Sequence, residues 1–149
     1  MIKKVNIENY ERQTKDFLDY LKQEGIMSTQ IIKTIKNSIN DLDNLEYKFS
    51  GIEDYGKYSK IWKEFLEGIS ENRRFLGYFL DLQGSLRQYL SDIPAFVLAL
   101  HIILASYNKD SSIIDERKIS KLESGIIVSD EIKNNMQMIL KITSEEIAA

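Results

Sequence analysis

Residues 76–107 read LGYFLDLQGSLRQYLSDIPAFVLALHIILASY and carry the densest apolar content of the chain. In and just before the first half, Phe75, Phe79, Leu82, Leu86, Tyr89 and Ile93 recur at steps of four and three, which stacks them on one face of a helix. That face is a core seam. Roughly opposite it, Gly77, Gly84 and Ser91 repeat every seven residues with Asp81 and Gln88 between them. Mid-helix glycine costs about 1 kcal/mol relative to alanine. Two glycines on one line therefore read either as a groove that another helix approaches closely or as a tolerated solvent face.

The second half, Ala95 to Tyr107, is apolar on every side, which marks a buried helix rather than an amphipathic one. It is too short to cross a bilayer, a task that takes about twenty such residues. Pro94 suits a first helical turn, with Ser91 or Asp92 ahead of it to satisfy the terminus, and Asn108 suits a left-handed stop. The stretch thus predicts two helices hinged at Pro94, the second of them (about 94–107) being the centre of the fold.

Upstream, Ile61, Trp62, Phe65, Leu66 and Ile69 mark a third helix capped by Ser59 and expected to run, bent, through Arg73 and Arg74 into the opening stretch. Before it, SGIEDYGKYSK (50–60) holds two glycines and predicts a loop with a turn at Asp54 to Gly56. Tyr55, Tyr58 and Trp62 surround that break. They either pin the loop to the core or form an aromatic hot spot for a partner. Earlier still, Ile7, Tyr10, Thr14, Phe17 and Leu21 form a helical stripe over about 7–24, with Asn6 as cap and Gly25 as stop. Ser28 or Thr29 then opens a second helix with Ile32, Ile35, Ile39, Leu42, Leu45 and Phe49 on one face. The short link predicts an antiparallel hairpin over residues 6–50.

Within that hairpin, FLDYLKQEGIMSTQIIKTIKNSINDL (17–42) resembles the N-terminal core-binding region of tyrosine recombinases, where a helix, a glycine turn and a Ser- or Thr-capped helix recur. Downstream there is no match to the family's Arg, His and Tyr nucleophile pattern, so the resemblance implies a helical hairpin and no activity.

Downstream of Asn108, KDSS is a loop, and Ser112 with Asp115 forms a capping box for a short helix bearing Ile114, Ile119 and Leu122 that Gly125 ends. Ile126 to Val128 has no second strand to pair with and reads as an extended connector. Ser129 caps a last helix with Ile132, Met136, Ile139 and Leu140 facing inward, fraying from Thr143. The expected fold is an all-α, single-domain bundle of five to seven helices: the hairpin, central helices over 59–107 and short helices over 112–142.

With 149 residues, 43% hydrophobic and 29% charged, the composition is that of a globular protein rather than a disordered one. A net charge of −3 argues against a protein devoted to gripping phosphate backbones. The lack of cysteine removes disulfides, thiol nucleophiles and cysteine-ligated zinc together, and fits a reducing interior. No apolar run follows the N-terminal lysines, so no signal peptide is expected and a cytoplasmic address is the default.

Chemistry-bearing residues are few. His101 is the single histidine and lies in the most apolar helix, where a bond to a neighbouring acid or carbonyl is expected, with Asp81, Asp92 or Tyr89 within reach. Glu64, Glu67 and Glu71 share a helix face, but Lys60 and Lys63 accompany them, which makes a salt-bridged solvent face. No cofactor, metal site or catalytic constellation is expected. For nucleic acid, Lys33, Lys36, Lys57, Lys60, Lys63, Arg73 and Arg74 are the candidates, with Glu53, Asp54 and the three glutamates working against them.

The sequence therefore predicts a non-enzymatic helical protein that binds another protein, in the manner of a small inhibitor, immunity or adaptor protein of a bacterium or phage. Its surfaces are Tyr55, Tyr58 and Trp62, and the row Gly77, Asp81, Gly84 and Gln88, which would equally serve a symmetric homodimer. Nucleic-acid binding is the alternative reading.

Overall fold

The computed structural model describes residues 2–23, 27–45, 51–114 and 129–149, and for 51–54 the backbone alone. Six α-helices lie among them: α1 (Ile7–Leu21), α2 (Thr29–Asn44), α3 (Gly51–Ile69), α4 (Arg73–Leu90), α5 (Asp92–Asn108) and α6 (Asp130–Ala148). A single 3-10 turn (Ser111–Ile113) follows α5, and no strand occurs among the described residues. The chain is an all-α bundle.

α5 is its axis. Every residue from Pro94 to Ala105 is buried, so the helix presents no solvent face over three turns. α2 and α4 flank it, and α6 reaches it from the far side. Around Phe96 the rings of Tyr58, Trp62, Phe65 and Phe79 meet at centroid separations of 4.9 to 6.0 Å. Edge-to-face pairs of this kind add about 0.5–1.5 kcal/mol each beyond the area they bury. The predicted seam of α4 is borne out, since Phe75, Phe79, Leu82, Leu86 and Tyr89 are buried and Ile93 is half-buried.

Several boundaries depart from the sequence reading. Of the loop expected over 50–60, residues 51–60 are the first half of α3, because Tyr58, Ile61, Phe65 and Ile69 already keep helical spacing and burial outweighs the cost of Gly56. The continuous third helix is broken. Asn72 accepts the Phe75 amide through its side chain and starts α4 afresh. Pro94 is not the first residue of α5 but the third, still in the turn that has no use for its missing N–H. Ser91 makes no side-chain cap; it joins α4 to α5 at φ 69°, ψ 178°. The left-handed stop falls on Lys109 rather than Asn108.

The short link between α1 and α2 does not make them a packed hairpin. α1 lies chiefly on α6 and α4, and α2 on α3 and α5. One polar contact fits this seat: the Tyr10 hydroxyl, on the buried face of α1, lies 3.2 Å from Thr143 Oγ1 of α6. Leu18, absent from the predicted stripe, is buried, while Ile7 is exposed. Thr143 is fully buried and α6 continues to Ala148, so the expected fraying does not occur there. The caps on Asn6, Ser28 and Ser129 form as read. Asp110 caps the 3-10 turn through the Ser112 amide, and the helix that Ser112 was expected to cap lies beyond the described residues. Gly25, Phe49, Asp115, Ile119, Leu122, Gly125 and the Ile126 to Val128 connector lie outside the described residues.

Candidate functional site

α1 runs antiparallel to α4. Tyr20 stacks on Tyr78 (5.7 Å between centroids, 18° between planes), Ser85 donates to Gln13 at 3.5 Å, and Tyr10 meets Tyr89 edge-on at 6.1 Å. The N-terminal segment before α1 is tied down as well. Asn135 of α6 accepts the Val5 amide and donates to the carbonyls of Lys3 (2.8 Å) and Tyr89 (3.0 Å), while the Lys3 amide donates to Gln88.

This register opens a groove of about 460 Å³ between the two helices. Phe17, Tyr20 and Tyr78 give it an aromatic wall, and Gly77 leaves part of its rim without a side chain. Arg73 and Arg74 stand at one end, in the first turn of α4, where the helix dipole disfavours a cation. Asp16 and Asp81 stand further along, brought near one another because residues 16 and 17 of α1 lie opposite 81 and 82 of α4 in this register. None of these four charges makes an ion pair or hydrogen bond among the described residues. Two further depressions continue the face along α4, one holding Lys3, Lys4 and Arg12 beside Gln88, the other Gly84 and the Arg87–Asp92 ion pair.

The predicted residues divide accordingly. Gly77, Asp81, Gly84 and Gln88 are all exposed on this face, and no atom of the described residues comes within 4 Å of a β-carbon built on either glycine. Of the two readings of the glycine row, the fold shows the solvent face, and a close helix approach is made by Gly68 against Thr34 of α2. Tyr58 is buried and Trp62 is half-buried against Phe79 and Phe96, so of the three aromatics only Tyr55 faces solvent. Lys33, Lys36, Lys60 and Lys63 are exposed on α2 and α3, apart from the groove that takes in Arg73 and Arg74.

Sequence reading missed Gln13, Asp16 and Tyr20, the α1 side of the groove. Nothing in their spacing marked them, since they lie off the buried stripe of Tyr10, Thr14, Leu18 and Leu21.

His101 is buried with Nδ1 2.7 Å from the Val97 carbonyl, one turn back. A carbonyl only accepts, so Nδ1 carries the proton of that contact. The expected carbonyl partner is thus found within the helix itself. Glu64, Glu67 and Glu71 are exposed, and the described residues hold no group of three metal-ligating side chains. No described helix is long and apolar enough to cross a membrane.

Comparison with family models, curated proteins and solved structures finds no match.

Proposed function

We propose that this protein works by binding a partner protein through the face shared by α1 and α4, as an inhibitor, immunity or adaptor protein would, rather than by catalysing a reaction. One observation carries the reading: a groove with a stacked tyrosine pair and a bare glycine rim holds four charges that make no ion pair among the described residues. Aromatic anchors beside unpaired arginines are the composition of protein-binding hot spots. Carboxylates in the same groove repel phosphate, which favours a protein over a nucleic acid.

The test is capture from a host lysate with the wild-type chain and with Gly77→Gln. The substitution lengthens a position that meets nothing in the fold, so the melting temperature should hold or rise while a captured protein is lost. Identical capture by both chains would rule this face out.

A second reading rests on Lys33, Lys36, Lys60 and Lys63, exposed on two helices that pack together. Binding of labelled DNA or RNA that weakens steeply between low and high salt would favour it.

A further inference from the structure

We infer that the partner seated in the α1–α4 groove is a second copy of this chain, docked about a two-fold axis near Gly77. The inference rests on the protein-binding reading above and names its occupant. A two-fold interface must be self-complementary, because the same patch is used twice. This groove meets that condition in charge: two arginines and two aspartates, all exposed and without ion pairs among the described residues, lie in one depression.

Arg73 and Arg74 oppose the dipole of their own helix, and Asp16 and Asp81 line the same depression as these arginines. Arg74 and Asp81 are seven residues apart on one face of α4, about two turns or roughly 10 Å. Two α4 helices crossing in opposite directions at Gly77 bring each Arg74 opposite the other copy's Asp81, with Arg73 falling towards the other copy's Asp16. The crossing point is where the chain provides no side chain and open space. Tyr20, 37% exposed on top of Tyr78, supplies apolar area beside the axis.

The decisive experiment is a charge swap read by light scattering after size exclusion. The wild-type chain should have the mass of two copies at low salt and dissociate as salt is raised, because exposed pairs are screened. Arg74→Asp and Asp81→Arg should each weaken self-association by roughly tenfold or more, since each turns two attractions into repulsions. Mixed in equal amounts, the two single variants should recover a dimer containing one of each, and Arg74→Asp with Asp81→Arg in one chain should dimerise alone. Circular dichroism melts of the singles exclude misfolding, as both positions are exposed.

A wild-type chain that is monomeric at every concentration overturns the inference, and so does a dimer indifferent to the single changes or a mixture that stays monomeric. A monomeric chain that still captures a different protein, and loses it on Gly77→Gln, keeps the protein-binding reading and removes the second copy alone.

Discussion

Gly68 of α3 faces Thr34 of α2 so closely that a β-carbon at position 68 would lie 2.6 Å from Thr34 Cγ2. Thr34 cannot turn aside freely, because its hydroxyl donates to the Gln30 carbonyl at 2.9 Å. Gly68→Ala should therefore destabilise the fold by about 1–2 kcal/mol, despite alanine's better helix propensity. Gly77→Ala and Gly84→Ala, with open space above them, should each stabilise it by about 0.5–1 kcal/mol. Urea unfolding midpoints, at unchanged slope, separate the two outcomes.

Ser91 adopts a backbone conformation, φ 69° and ψ 178°, that is close to glycine's own territory. Ser91→Gly should relieve about 1 kcal/mol of that strain and raise the thermal midpoint. A fall would mean that the stiffness of the α4–α5 corner is worth more than the strain.

Tyr55 and Tyr58 sit one turn apart with opposite fates, 55% and 5% exposed. Tyr58→Ala should cost about 3–5 kcal/mol by emptying a site against Phe96, whereas Tyr55→Ala should fall within about 0.5 kcal/mol of wild type. Parallel thermal melts decide it. Equal losses would place Tyr55 in the core as well.

Burial holds the phenol protons of Tyr10, Tyr58 and Tyr78 to higher pH than in an unfolded chain, where tyrosine ionises near pH 10. Above that pH the unfolded chain has released protons that the folded one keeps. Their share of stability is thus complete below about pH 10 and is lost as pH rises beyond it. Tyr78→Phe should lessen this alkaline loss. At neutral pH it should be close to neutral, because the Tyr78 hydroxyl is buried with no hydrogen-bond partner among the described residues. Tyr10→Phe, which forfeits the Thr143 bond, should cost about 1 kcal/mol.

Asn135 answers three backbone groups from two distant segments. Asn135→Ala should cost about 2–3 kcal/mol, since buried donors and acceptors are left unmet. Asn135→Asp keeps the bond to the Val5 amide but turns a carboxylate towards the carbonyls of Lys3 and Tyr89. The repulsion favours its protonated form, so the variant should lose stability as pH rises through the carboxylate range, and a pH series of melts reads this directly.

Helix existence was legible in the sequence wherever apolar spacing was strong. The seam of Phe75, Phe79, Leu82, Leu86 and Tyr89 and the uniformly apolar run after Pro94 fixed α4 and α5, because burial on one face or on all faces leaves a periodic mark. Boundaries set by competition were not legible. Whether Gly51 and Gly56 break a helix depends on what Tyr58 and Ile61 bury against, and whether α3 and α4 fuse depends on a cap at Asn72. The groove was half visible. Its α4 side stood out as a glycine row, but its α1 side required knowing that α1 is carried past α2 to α6, a long-range pairing that brings together Tyr10 and Thr143, 133 residues apart.

That pairing orders events as the chain is made. α1 is synthesised well before α6, its seat, so it waits while the helices between them are made before it can be covered. Until then its half-apolar face is available to chaperones or to a neighbouring chain's α6, and the covering of α1 is timed by the arrival of α6.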